Sequence, residues 1–160
     1  MKIGGQKVSA DNVYEVFVPT SESTGILFKC KAVRNMDDFE KRFPPPKPKE
    51  IFRPGNPVPE IDVNDKAYIK AVEEYAKLKH NYFYLESLSA TEDLEWETVN
   101  MDEPSTWENF WSELEDTFNN IVAQKIIQGV QRANSLDPTY IEEARKRFLA
   151  GTSTQQEQNQ

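Results

Sequence analysis

Val13-Tyr14-Glu15-Val16-Phe17-Val18 and, past a polar turn from Thr20 to Gly25, Ile26-Leu27-Phe28-Lys29-Cys30-Lys31-Ala32-Val33 decide how this chain is read. The first run is rich in β-branched and aromatic residues and stops at Pro19. The second places Ile26, Phe28, Cys30 and Ala32 on one face and Lys29 and Lys31 on the other. Together they predict a β-hairpin with a turn longer than the two-residue ideal. Beyond Asp62 the apolar spacing changes from 2 to 3.6. The expected fold class is therefore α+β, an N-terminal β-hairpin followed by a helical C-terminal half. Leu94-Glu95-Trp96-Glu97-Thr98-Val99 alternates again and is a candidate third strand for a small sheet.

Working outward from the hairpin, Asp37 and Asp38 place acid at the start of a short helix that ends at Phe43. Pro44-Pro45-Pro46 then stops it. Residues 44–62 hold seven of the ten prolines and predict an extended, semi-rigid connector. Pro44-Pro45-Pro46-Lys47-Pro48 also suits an SH3-like groove, although a linker explains it more simply. After Asn64 or Asp65 as N-cap, Tyr68, Ala71, Val72, Tyr75, Leu78, Tyr82 and Leu85 follow helical spacing for over five turns.

Ser105 and Glu108 match a capping box, with Pro104 leading into a helix. Trp107, Phe110, Trp111, Leu114 and Phe118 then form a strong apolar stripe. Asn119-Asn120 interrupts the pattern before a helix containing Val122, Ile126 and Val130, which ends near Asn134. Asp137-Pro138 starts the last helix, and Gly151 is its expected stop. The expected organisation is hairpin plus short helix over 1–43, proline-rich linker over 44–63, helical region over 64–151, and a disordered polar tail over 152–160.

Charge is distributed unevenly. From Tyr82 to Gln124 there is no lysine or arginine, but there are eleven carboxylates and all three tryptophans. Elsewhere sixteen acids face nineteen bases, and the net charge is 19 − 27 = −8. Such a balance argues against general nucleic-acid or anionic-membrane binding. No apolar run approaches the roughly 18 residues of a membrane span. The opening Met1-Lys2-Ile3-Gly4-Gly5 lacks the apolar region of a signal peptide, and the lone Cys30 suits a reducing compartment. A soluble intracellular protein is expected.

Catalytic chemistry has little to draw on. Cys30 and His80 are the one nucleophile–base pair available, but no third orienting group is identifiable, and Cys30 falls on an apolar strand face. One histidine and one distant cysteine make poor zinc ligands, and the acidic stretch lacks a calcium-loop pattern. Gly4-Gly5, with no preceding strand, is poorly placed to cradle phosphate. No enzymatic activity, cofactor or metal is expected. The tryptophan stripe has two readings, core or interface. Trp111 beside Phe110 widens it beyond what one core needs, so Trp107, Phe110, Trp111, Leu114 and Phe118 are candidate partner-binding residues. Glu108, Glu115 and Asp116 flank them and would tune association.

Leu94–Val99, Asp102-Glu103-Pro104-Ser105-Thr106-Trp107, Ala133-Asn134-Ser135-Leu136-Asp137, Glu142-Glu143-Ala144-Arg145 and Phe148-Leu149-Ala150-Gly151, with the opening Met1–Val8, resemble small tail-module proteins of tailed bacteriophages and prophages. They look like tail assembly chaperones of long-tailed phages. That resemblance implies a protein that coats the helical tape-measure protein, recruits tail-tube subunits, and leaves before the virion is finished. It also implies residence in the host bacterial cytoplasm, with oligomer formation left open. Two other readings stay beside it. One is a small acidic inhibitor that mimics DNA and blocks a nuclease or defence protein, and the other is a minor structural tail protein.

Overall fold

β1 (Lys2–Ile3) and β2 (Gln6–Lys7) pair across Gly4-Gly5, whose φ values of 57° and 82° meet the positive-φ demand of a two-residue type I′ turn. β3 (Val13–Pro19) and β4 (Gly25–Lys31) form the expected longer hairpin, with Val16 opposite Phe28 and Tyr14 opposite Cys30. In the computed structural model, residues 1–8 and 12–158 are described. The remaining elements are α1 (Asp37–Arg42), β5 (Lys49–Ile51), β6 (Glu60–Asp62), α2 (Lys66–Leu88), a 3-10 helix (Pro104–Thr106), α3 (Asn109–Thr117), α4 (Asn120–Ala133) and α5 (Pro138–Gln158). The fold is α+β, with small antiparallel sheets towards the N-terminus and helices in the C-terminal half.

The chain divides into two units. The first comprises Met1–Val33, Glu86–Glu95 and Leu114–Gln160, and the second Arg34–Leu85 and Trp96–Glu113. In the first unit α4 lies against the β3–β4 hairpin. Tyr14, Val16 and Val18 alternate inwards on β3, as do Phe28 and Cys30 on β4, and Ala123, Ile126, Val130 and Ala133 supply the buried face of α4. The helix approaches closely because position 129 is glycine. A Cβ there would lie 2.5 Å from Cγ2 of Val16 and 3.2 Å from Sγ of Cys30. Asn119 caps α4 by accepting from the Val122 amide at 2.9 Å. Ser135, at φ 57°, ends it in a Schellman arrangement, with the Leu136 amide on the Gln131 carbonyl at 2.8 Å. Asp137 then caps α5 by accepting from the Tyr140 amide.

The second unit is organised by aromatic rings. Phe39 is fully buried, with ring centroids of Phe43, Tyr75 and Tyr82 at 5.2–5.5 Å and Trp107 at 6.5 Å. Asp65, rather than Asn64, caps α2, accepting from the Tyr68 amide at 3.0 Å.

Four sequence expectations are corrected. The 44–63 segment is not purely extended, because β5 and β6 pair antiparallel around a turn in which Gly55 takes φ 84°. Leu94–Val99 forms no strand. The amides of Glu97 and Thr98, which a ladder would need, donate instead to the Glu113 carboxylate. Ser105 does not open a long helix, since Pro104–Thr106 is a 3-10 turn and α3 begins at Asn109. Thr106, not Ser105, makes the local side-chain bonds there, to Asn100 and Glu103. Finally, α5 runs through Gly151 to Gln158, because Gly151 does not adopt the left-handed conformation of a helix stop. The last two residues of the anticipated tail lie outside the described residues.

Candidate partner-binding surfaces

The stripe expected to bind a partner is split by the fold. Trp107 has no exposed surface, and Phe110 and Leu114 are buried as well. Trp107 contacts Phe39, Phe43 and Tyr82, and its indole Nε1 donates to the Asn100 carbonyl at 3.1 Å. Phe110 stacks on Tyr84 at 5.8 Å. Trp111 and Phe118 are half-buried, and Phe118 meets Phe28 edge-on at 5.8 Å. Of the flanking acids, Glu108 is exposed and ion-paired with Lys77. Glu115 is half-buried and Asp116 exposed. Trp107, Phe110 and Leu114 therefore act from within the core, and only Trp111 and Phe118 keep partial access to solvent.

What the second unit does offer is an open groove of about 760 Å³. Phe43, Pro44 and Pro46 form one wall, Tyr75 and Leu78 of α2 another, and Pro104 with Glu108 closes an end. Trp107 stands behind this surface, since its ring supports Phe43 at 5.7 Å. The Arg42 guanidinium lies 5.3 Å from the Phe43 ring centroid and 5.6 Å from that of Trp107, and both its terminal nitrogens donate to the Met101 carbonyl. The Lys77–Glu108 pair ties α2 to the turn that leads into α3. Apolar and aromatic side chains line the groove together with Arg42, Glu74, Lys77 and Glu108. Sequence reading missed the groove because its walls come from three segments separated by tens of residues. The one available signal was that Phe39 and Phe43 lead directly into Pro44-Pro45-Pro46.

Part of the base-free stretch is used internally. Glu86 pairs with Lys31 and Glu92 with Lys29. The Glu113 carboxylate accepts from the Glu97 amide, the Thr98 amide and the Thr98 hydroxyl at 2.6, 3.0 and 2.6 Å. Desolvation pushes that carboxyl's pKa upwards, but the three hydrogen bonds outweigh it and hold it below the usual value. These acids serve as clasps for loops and strands.

Cys30 and His80 belong to different units. Cys30 is fully buried against α4, and burial pushes its thiol up to about 12. His80 rests on Tyr84 with ring centroids 4.6 Å apart. A thiol in that state is a small hydrophobe rather than a nucleophile. Among the described residues no group of three or more His, Cys, Asp or Glu is placed to hold a metal ion. No described helix is long and apolar enough to cross a membrane. Compared with known protein families, curated proteins and solved structures, the chain matches none.

Proposed function

We propose that this chain is a non-catalytic, protein-binding assembly factor of the tail assembly chaperone type, acting in the cytoplasm of a phage-infected bacterium. The observation that carries the reading is the groove walled by Phe43, Pro44, Pro46, Tyr75 and Leu78, backed by the buried Trp107. An apolar helix of a tape-measure protein would lay one side-chain row into it, with the rim charges around Lys77 and Glu108 excluding water. The acidic balance suits a holder that must keep such clients dispersed. Recruitment of tail-tube subunits belongs to the same proposal and rests on the sequence resemblance alone. The DNA-mimic reading has less support, because four of the eleven carboxylates in the base-free stretch (Glu86, Glu92, Glu108 and Glu113) are already engaged within the chain.

The test pairs melting curves with capture of a co-expressed tape-measure fragment, for Tyr75→Ala, Leu78→Ala and Trp111→Ala. Both groove variants are expected to stay folded and to lose client binding by about 2 kcal/mol or more, the scale of an interfacial hot spot. Trp111→Ala reports on the other candidate surface. Loss of binding in that folded variant alone would move the interface from the groove to α3. Full binding by all three would remove the proposal. Mass spectrometry of purified virions separates a chaperone, expected to be absent, from a structural tail protein.

A further inference from the structure

The β3–β4 hairpin has two edges, and the fold treats them differently. The Ala32 amide bonds the Asn12 carbonyl at 2.9 Å, so the directly bonded pairs are 12/32, 14/30, 16/28 and 18/26. Backbone groups of the intervening residues must point away from the hairpin. On β4 the groups of Lys29, the Lys31 carbonyl and the Val33 amide just beyond the strand are covered, whereas among the described residues no such bond reaches Leu27. The Thr91 hydroxyl accepts from the Lys29 amide and donates to its carbonyl, Ser87 donates to the Lys31 carbonyl, and the Asn134 side chain serves Lys31 and Val33. On β3 the outward groups are those of Val13, Glu15 and Phe17. Among the described residues, no hydrogen bond beyond the hairpin reaches them.

A groove of about 310 Å³ runs beside that open edge. Its strand side is Tyr14, Glu15, Val16 and Phe17, and its helix side is Lys125, Gln128 and Arg132 of α4, at i, i+3 and i+7. No β4 residue lines it. Arg132 is held rigidly at one end. It donates to Tyr14 Oη at 2.7 Å and to Asp137 Oδ2 at 3.1 Å, and its guanidinium lies 5.5 and 5.4 Å from the ring centroids of Tyr14 and Tyr140. Lys125 is exposed and has no ion-pair partner among the described residues.

We infer that this edge and its helical wall form a strand-addition site for an extended, acidic segment of a partner protein. Such a segment would bond the free amides and carbonyls of Glu15 and Phe17 as a third strand. Its alternate side chains would drop against α4, where a carboxylate meets Lys125. A second copy of this chain fits less well. Antiparallel pairing of two β3 strands about their centre, Val16, sets Glu15 opposite Phe17 and turns Tyr14, Val16 and Val18 of the copy towards α4, so Lys125 would meet no carboxylate. This site lies wholly in the first unit and does not depend on the groove proposed above for a client helix.

The probe is a fluorescein-labelled peptide alternating Glu and Val over eight residues, with a Lys–Val counterpart and a version carrying a central proline. The Glu–Val peptide is expected to bind, and the proline version and the Lys–Val peptide to bind about tenfold more weakly or not at all. Glu15→Pro removes an outward-facing donor at the kind of edge position where proline is tolerated, and should weaken binding about tenfold while the melting temperature holds, even though the carboxylate it also removes would repel an acidic peptide. Lys125→Glu should weaken it by a comparable factor. On the unaltered protein, amide exchange at Glu15 and Phe17 should slow when the Glu–Val peptide is present in excess. Equal binding of the Lys–Val peptide, unchanged exchange at both amides, or a concentration-dependent dimer that protects them without peptide would each overturn the inference.

Discussion

Gly129 shows how one missing carbon fixes the seating of a helix. Alanine would normally strengthen a helix interior by about 1 kcal/mol relative to glycine. Here the added Cβ would meet Cγ2 of Val16 at 2.5 Å, with Sγ of Cys30 and the Tyr14 ring close behind. A contact under 3 Å with a β-branched side chain on a paired strand cannot be relieved by a flexible tip. Overpacking therefore wins, and Gly129→Ala should destabilise the fold by about 1–3 kcal/mol in urea titrations. The double change with Val16→Ala should recover part of that loss, because it removes the methyl that clashes. Cys30 sits in the same seam. Its thiol is pushed up to about 12 by burial, so at pH 8 it remains protonated and enclosed. A thiol-disulfide reagent should label it promptly only after urea unfolding. Prompt labelling of the native protein would show that the seam opens easily.

At the scale of elements, Glu113 decides the conformation of the segment between α2 and α3. It replaces a missing partner strand by taking the amides of Glu97 and Thr98 itself. Glu113→Gln would set an amide donor among three donors, and should cost about 1–3 kcal/mol as charge-assisted bonds are lost. Cleavage at Glu95 and Glu97 by a Glu-specific protease should speed up with it. This segment also marks a limit of sequence reading. Leu94, Trp96 and Thr98 alternate as a strand would, but period two records which side chains are shielded and not where backbone donors go. The β3–β4 hairpin was legible because its alternation coincides with a buried face built from Phe28 and Cys30. β5 and β6 were hidden, being three residues each within a proline-rich stretch, and they pair by virtue of one left-handed glycine. Helical spacing left Trp107 open between core and interface, and its place behind Phe43 was not legible, since that depends on α1 and α2 meeting it. The strand-edge groove was equally invisible, because it requires knowing that Thr91 and Ser87 cover β4 at Lys29 and Lys31 while no described residue covers Glu15 and Phe17 on β3.

For the molecule as a whole, two electrostatic effects oppose each other as pH falls. A chain with net charge −8 repels itself, and titration towards its isoelectric point near 4.8 relieves that repulsion. Against this stand carboxylates whose ionised form the fold prefers. Asp137 is held below its usual value first by the Tyr140 amide and then by Arg132, Glu92 by its hydrogen bond to Lys29, and Glu113 by its loop clasp against desolvation. A carboxyl depressed in the folded state stabilises the protein above its unfolded pKa, about 3.9 for Asp and 4.3 for Glu, and that contribution is lost as pH drops through the folded value. Lys29, Lys79 and Arg132 are shifted upwards, the first two chiefly by hydrogen bonds to Glu92 and Glu40 and the third by its bond to Tyr14. Their contribution is therefore complete at neutral pH and lost only in strong alkali. The repulsive term acts between exposed charges and is screened within about 8 Å at physiological salt, whereas the clasps are direct hydrogen bonds. Local bonds should consequently dominate. Scanning calorimetry at 0.15 M salt should find a melting temperature nearly level from about pH 5 to 8 and falling below about pH 4. Removing the Arg132–Asp137 clasp by Asp137→Asn should lower the plateau and flatten part of the acid limb. A melting temperature that instead rose through pH 4 would mean that whole-chain repulsion outweighs the bonds these carboxylates make.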